Sequence, residues 1–316
     1  MANKNPRFRI VSRGAVAVLW LLLGFHFARP LGAQTASAID VSLGHAAPSD
    51  AGPQRIVAMG PNSVEVLCAL GAGDRIVGVS KFCVFPPELK KLPRVGGQFD
   101  PDLERIAALR PDLVVTRGQS DSIRRLCEVL KVPVYDDETD SLPGVEKCAI
   151  DLGFRLHRED RAIALVRTFR QEIASIRKDF EQTARRRVFL TVARQPDRLA
   201  NVLTTGKGTF LDEMIDIAGG VNVFGHLDAR YPQVSPEAIL AQQPEVIIEL
   251  MPELEPSAER QAAILAQWRQ LGPLNAVAAG RVYVLTDENC LIPSPRFTAI
   301  IRKVAALLHP PAPDRP

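Results

Sequence analysis

One fourteen-residue segment of this 316-residue chain has a second, similar copy further along. "DLERIAALRPDLVV" at 102–115 aligns with "SPEAILAQQPEVII" at 235–248 after a shift of 133 positions. Glu104 then falls on Glu237 and Pro111 on Pro244, and an aliphatic triplet follows each proline-acid pair. A repeat of this kind indicates two similar structural units in one chain, which constrains the fold more than any single motif does.

Each copy predicts a short helix followed by a buried strand. Asp102 and Ser235 are good N-cap residues, and a carboxylate at the second helical position is favoured by the helix dipole. The prolines end each helix before the strand. These local reasons account for a glutamate in either copy. The match between the two copies is better explained by an ancient duplication.

The elements around the two copies follow the same order. Strand-like segments alternate with helical ones, as in "RIVAM" at 55–59 followed by "VEVLCAL", and "RVFLTVA" at 187–193 followed by "GTFLDEMIDIAGG". This alternation with short loops predicts an α/β fold with a parallel sheet in each half. Between the halves, residues 158–187 have apolar positions three to four apart and no glycine or proline, which predicts one helix about 40 Å long.

We therefore expect an α/β protein of two Rossmann-like lobes with parallel sheets, joined by a single long helix, with a cleft between the lobes. The expected divisions are a signal peptide (1–38), a flexible leader (39–53), an N-terminal α/β lobe (54–157), a linking helix (158–186) and a C-terminal α/β lobe (187–310).

The N-terminus has the pattern of a secretory signal peptide. Four basic residues precede the twelve-residue apolar segment "GAVAVLWLLLGF" at 14–25, and small-residue cleavage sites follow at Ala38 or Ala33. An uncleaved anchor is the alternative. Residues 1–38 hold five Lys/Arg and no acid, so the net charge of +3 becomes 3 − 5 = −2 after cleavage. A nearly neutral mature chain favours no nucleic-acid partner.

Five cysteines follow the leader, and an odd number leaves at least one thiol free. Two bridges among five thiols could form in fifteen ways. We expect Cys127 and Cys148, both in the N-terminal half, to be the more plausible pair. A bridge between Cys83 and Cys290 would lock the two lobes together.

The order of elements, the lone linking helix, and the segments "FPPELKKLPRVGG", "LERIAALRPDLVV", "YPQVSPEAILAQQPEVII" and "SPR" (294–296) resemble the periplasmic substrate-binding proteins for vitamin B12 and ferric siderophores. The resemblance covers roughly 54–308. It implies a periplasmic protein that performs no chemistry and needs no cofactor. The implied partners are a small-molecule metal chelate and an ABC permease with its ATPase subunits. In that family each lobe presents one glutamate to the permease, and Glu104 and Glu237 stand at the matching positions. We expect a monomer.

Ligands of parallel α/β sheets bind beyond the carboxyl ends of the strands, so the loops after the strands are the expected cleft. The candidate cleft residues are Asn62, Lys81, Phe82, Phe85, Gln98, Arg117, Arg230, Tyr231, Asp287 and Glu288. The vitamin B12 branch lines its cleft with tryptophans, where this chain has Gln98, Arg117 and Tyr231. Three basic residues suit an anionic iron chelate. A corrinoid and a ferric siderophore therefore both remain candidates. A further hypothesis is that Cys83 or Cys290 contacts the chelate, since thiolate is a soft metal ligand.

Two other functions are less well supported. One is an exported sensor or binding module for a tetrapyrrole or metal chelate. The other is an α/β enzyme acting on such a chelate. No catalytic constellation is recognisable, and the histidines show no metal-ligand spacing, so we name no catalytic residue and no resident metal site.

Overall fold

The computed structural model describes residues 52–255 and 257–310. The predicted signal peptide and its cleavage sites, with most of the leader, lie outside these residues. In the described part, no helix has both the length and the apolar character needed to cross a membrane.

The first lobe is built on a four-stranded, fully parallel sheet in the order β2-β1-β3-β4. Its strands are β1 (Ile56–Ala58), β2 (Ile76–Val79), β3 (Leu113–Arg117) and β4 (Val134–Asp137). Its helices are α1 (Pro61–Ala69), α2 (Leu103–Ala108), α3 (Asp121–Leu130) and α4 (Leu142–Arg155), with short 3-10 turns at Gly73–Arg75 and Pro87–Lys91.

Alternate side chains of these strands enter two separate apolar clusters. Ile56 packs with residues of α1 and α4, whereas its neighbour Val57 packs with residues of α2 and α3. Both faces of the sheet are therefore covered by helices, as expected for a parallel sheet whose strands read as continuous apolar runs. We call β1–β4 with α1–α4 the N-lobe.

The second lobe, which we call the C-lobe, contains a six-stranded sheet. Its main path is β10-β9-β5-β6-β8, and β7 also pairs with β5. The strands are β5 (Arg186–Ala193), β6 (Val202–Thr204), β7 (Gly220–Asn222), β8 (Gln233–Val234), β9 (Val246–Leu250) and β10 (Val282–Leu285). The helices are α6 (Phe210–Ile217), α7 (Pro236–Gln242), α8 (Ala258–Leu271), α9 (Asn275–Ala278) and α10 (Phe297–Leu308).

The two-lobed α/β architecture is confirmed, with one difference in the C-lobe sheet. β5, β7, β9 and β10 pair in parallel, but β6 and β8 are antiparallel to their neighbours. The eight residues between β5 and β6 return the chain directly beside β5, and a connection that short cannot make a parallel crossover, which takes a dozen or more residues.

The two lobes are connected by α5 (Glu159–Phe180), which packs against α4 of the N-lobe and against α6 and α10 of the C-lobe. Its 22 residues give a length of about 33 Å, shorter than the predicted 40 Å because the helix ends in a turn where Thr183 bonds back to Phe180. Helix α4 was not predicted. Its glycine at 153 is needed for close packing, since a Cβ there would lie 2.4 Å from the Ala162 Cβ on α5.

The sequence repeat is also a structural repeat. The Asp102 carboxylate accepts from the backbone N–H of Arg105 at 2.9 Å, and the Ser235 hydroxyl accepts from that of Ala238 at 3.2 Å. Asp112 and Glu245 then each accept a backbone N–H from the start of the lobe, from Gln54 and Arg187 respectively. The 133-residue shift maps one hydrogen bond onto the other, so the start of each lobe is bonded to the residue after the proline in the same way.

All five cysteines are free thiols, so the predicted Cys127–Cys148 pair is wrong. Cys127 packs in the cluster between the sheet and α2–α3, whereas Cys148 packs in the cluster on the opposite face of the sheet. The sheet itself therefore separates the two sulfur atoms.

Candidate functional site

A cleft of about 530 Å³ lies between the carboxyl ends of the strands of the two lobes. The N-lobe lines it with Pro61, Asn62, Lys81, Phe82, Val84, Lys90 and Arg117, and the C-lobe with Pro252, Glu253, Glu288, Leu291, Ile292 and Pro293. Five of the predicted cleft residues are in this lining: Asn62, Lys81, Phe82, Arg117 and Glu288.

A buried polar network holds the N-lobe floor of the cleft in place. Arg117 is the last residue of β3, and its Nη1 donates to the carbonyl of Thr139. The Asn62 amide donates to the Asp137 carboxylate, which also accepts from the backbone N–H of Thr139 at 3.0 Å. These residues are all at least nine-tenths buried. Because these residues hold one another in place through hydrogen bonds, the floor is preorganised before a ligand arrives.

The rim of the N-lobe wall is basic. Lys81 forms an ion pair with Asp100 at 2.6 Å, and its Nζ lies 5.3 Å from the centroid of the Phe82 ring. Lys90, which was not among the predicted cleft residues, is exposed on the same wall. The side chains combine an aromatic face with ammonium groups, which suits a ligand with both apolar and anionic parts.

The C-lobe wall is apolar and acidic. Glu253 and Glu288 are both exposed, and the apolar segment 291–293 lies between the lobes with them. Glu253 was not predicted, although the repeat contains a signal for it. The 133-residue shift aligns the loop after β9, which contains Glu253, with the loop after β3. Because the β3 loop follows the cleft residue Arg117, the repeat indicates that the β9 loop also lies at the cleft.

The other five predicted cleft residues lie outside this lining, and four of them contact other side chains. Phe85 lies beneath the guanidinium group of Arg296, with the Arg296 Cζ 3.3 Å from its ring centroid. Asp287 pairs with Lys303 at 2.7 Å. The Gln98 amide nitrogen lies beside Gly118. Arg230 and Tyr231 both contact Asp140.

Asp140 is the centre of a contact between the lobes. It belongs to the loop after β4, and its carboxylate accepts from Arg230 Nε at 2.6 Å and from the Tyr231 hydroxyl. Next to it, the backbone N–H of Leu142 donates to Glu213 at 2.6 Å. Burial, opposed in part by this hydrogen bond and by Arg230, raises the pKa of Glu213 from 4.5 to about 7. This contact fastens the lobes at the β4 side of the cleft.

The cysteines near the cleft are unsuited to contact a metal. Cys83 and Cys290 are fully buried, and neither is a lining residue. Burial raises the pKa of Cys83 to about 11 and that of Cys290 to about 12. Both are therefore protonated thiols at neutral pH, which does not support the proposed contact with a chelate.

Glu104 and Glu237 occupy matching positions on the surface. Both are exposed, and each lies in the first turn of its helix. Hydrogen bonds from its own backbone N–H and from Ser235 lower the pKa of Glu237. Helices α2 and α7 lead into the amino ends of β3 and β9, so each helix begins near the carboxyl edge of its sheet. The cleft lies at that edge, so the first residues of both helices are on the side of each lobe where the cleft opens.

Comparison with known proteins matches residues 56–289 to the family model described as "Periplasmic binding protein". A vitamin B12-binding protein of Vibrio cholerae is 27% identical over 258 residues, covering 81% of this chain and 89% of that protein. An uncharacterized ABC transporter substrate-binding lipoprotein of Bacillus subtilis is also 27% identical, over 82% of this chain and 81% of that protein.

Among solved structures, a periplasmic heme-binding protein from Pseudomonas aeruginosa superposes with a TM-score of 0.71 at 28% identity. The match covers 83% of this chain and 94% of that one. The two lobes, the cleft at the strand ends and a family match over most of the chain agree. The chain belongs to the periplasmic binding protein family.

Proposed function

We propose that this chain is the substrate-binding subunit of an ABC importer and that it captures a metal chelate, a corrinoid or a ferric siderophore, whose coordination sphere is complete before it enters the cleft. Export by the predicted signal peptide, with cleavage near Ala38 or Ala33, would bring it outside the cytoplasmic membrane. The function is binding and delivery, with no chemical step.

The composition of the cleft lining is the observation that carries the proposal. The lining residues include no histidine, cysteine, methionine or tyrosine. Within the described ranges, 52–255 and 257–310, no group of three or more His, Cys, Asp or Glu side chains is placed to hold a metal ion. Haem iron is usually held by a histidine, cysteine, methionine or tyrosine side chain. The lining therefore favours a chelate that brings all of its own metal ligands.

The charged groups of the cleft fit such a ligand. Lys81, Lys90 and Arg117 lie on one wall, and Phe82 offers an aromatic face beside them. Burial makes Arg117 a strong donor to a carboxylate or phosphate, because a charged hydrogen bond gains strength away from water. The relatives that bind vitamin B12 support the corrinoid, and the basic wall supports an anionic ferric chelate.

Delivery depends on contact with a permease. Glu104 and Glu237 support this role because the repeat gives the two lobes the same carboxylate on the same helix turn. A two-fold symmetric permease would present the same receptor surface to each lobe. The packing of α5 against helices of both lobes favours a small closing movement.

Calorimetric titration of the mature protein tests the ligand class. The probes are cyanocobalamin, cobinamide, a ferric hydroxamate siderophore and haemin, each with wild type and with Arg117→Ala. We expect one of the first three to bind, and Arg117→Ala to weaken that binding by about 1.5–3 kcal/mol, the range for a hydrogen bond to a charged group.

Arg125→Ala, an exposed change on α3, is the matched control and is expected to leave the affinity unchanged. Binding of haemin alone would refute a chelate with complete coordination. Failure of all four probes would refute the proposed ligand class.

A further inference from the structure

Arg296 reaches from the C-lobe to the N-lobe. It is the residue immediately before α10, and its Nε and Nη2 lie 2.9 Å and 2.7 Å from the two carboxylate oxygens of Glu65 on α1. Glu65 is only 5% exposed. A two-point pair of this kind fixes the relative orientation of the two groups as well as their separation.

The same guanidinium group covers the ring of Phe85, at 3.3 Å from its centroid. Phe85 belongs to the loop after β2, and that loop also carries Phe82 and Val84 of the cleft lining. Arg296 therefore holds a helix of the N-lobe and the cleft-forming loop of the N-lobe at once.

A third contact connects Arg296 with the opposite wall. Glu288, a lining residue from the C-lobe, has a carboxylate oxygen 3.9 Å from Arg296 Nη2. Arg296 itself is not a lining residue of the cleft. Arg296 thus lies beside the cleft without lining it. It contacts residues that form, or directly support, both walls of the cleft.

We infer that Arg296 is a positioning residue for ligand capture. By pairing with Glu65 and stacking on Phe85 it sets the separation and angle of the two cleft walls, without touching the ligand. For its effect on affinity this inference rests on the proposed function, but its effect on lobe placement can be measured without any ligand.

The chemistry of the contact predicts which substitution fails. Lysine keeps the positive charge of Arg296 but cannot make two parallel bonds or lie flat on an aromatic ring. A role that needs charge alone is rescued by Arg296→Lys, whereas a positioning role is not. Arg302→Lys is the matched control, since Arg302 lies on α10, the helix that Arg296 precedes, and pairs with Asp179 on the surface, both groups being about half exposed.

Spin labels on the two lobes measure their relative placement. Val129 in the N-lobe and Val221 in the C-lobe are exposed and are changed to cysteine in a Cys68→Ser background, because Cys68 is the one native thiol that is not fully buried among the five. Double electron–electron resonance is recorded without ligand for wild type, Arg296→Lys, Glu65→Gln and Arg302→Lys.

We expect a broader interlobe distance distribution in Arg296→Lys and Glu65→Gln, and a wild-type distribution in Arg302→Lys. For the probe that wild type binds, Arg296→Lys should raise the dissociation constant about tenfold, equivalent to about 1.4 kcal/mol. Equal distributions in all variants would overturn the inference. A weaker affinity with an unchanged distribution would also overturn it, because Arg296 would then contact the ligand directly. If wild type binds no probe, the proposed function fails while the distance distributions still decide the role of Arg296.

Discussion

The protonation of Glu213 should make the stability of this protein depend on pH. Its carboxylate lies between the lobes, accepting from the backbone N–H of Leu142, with Arg230 nearby and with Asp140 and Asp212 opposing its charge. Burial is the largest cause of its elevated pKa. The folded protein therefore holds this proton more tightly than the unfolded chain does.

The direction follows from linkage. The contribution of Glu213 to stability is fully present below its ordinary pKa of 4.5 and is lost as the pH rises through about 7. At about 1.4 kcal/mol per pH unit, the difference between a pKa of 4.5 and one of about 7 corresponds to at most about 3 kcal/mol of unfolding free energy. Glu213 is only partly buried, so screening by solvent reduces the expected effect to about 1–2 kcal/mol.

Urea unfolding at pH 5 and pH 8, followed by fluorescence of the buried Trp268, measures this effect. Glu213→Gln keeps an acceptor for the Leu142 N–H but carries no titrating proton. Between pH 5 and pH 8, wild type should lose about 1–2 kcal/mol more stability than Glu213→Gln does. Glu128→Gln, an exposed change on α3, should behave as wild type. Parallel pH dependence in wild type and Glu213→Gln would refute the reasoning.

Three further predictions test other parts of the structure. The double change Glu104→Ala with Glu237→Ala should leave ligand affinity unchanged and reduce uptake in a depleted strain more than either single change; normal uptake would remove both residues from permease docking. Glu249→Gln should destabilise the protein by about 3–5 kcal/mol in urea unfolding, because Arg194, paired with Glu249 at 2.9 Å with both side chains buried, would keep an uncompensated charge; a loss below about 1 kcal/mol would contradict this. Denatured without a reductant, the protein should titrate five thiols, and a count of three or fewer would reveal a disulfide.

Much of the fold could be predicted because its signals are local. The N-caps at Asp102 and Ser235 and the prolines that follow α2 and α7 act on neighbours within one helical turn. Helix α4 escaped prediction because its early proline and its glycines read as loop signals. Only the approach of Ala162 on α5 explains why a glycine is favourable at position 153.

Candidate site residues were harder to predict than elements. Four predicted residues line the cleft because each ends a strand, closely follows one or begins the helix after one: Lys81, Phe82, Asn62 and Arg117. Phe85 follows a strand as well, but a side chain from the other lobe covers it. Position after a strand brings a residue to the correct end of the sheet, and its neighbours then decide which way its side chain points.

By itself, the sequence determined the repeat, the α/β order, the linking helix and the matched glutamates, since each follows from spacing and capping over a few residues. Tertiary structure alone decided how the lobes meet. Arg230 and Asp140 are 90 residues apart in the chain, and Arg296 and Glu65 are 231 apart. No local rule relates such pairs. They meet because the buried faces of two sheets and one rigid helix bring distant loops together, and the charges there are then satisfied by whichever partners the packing supplies.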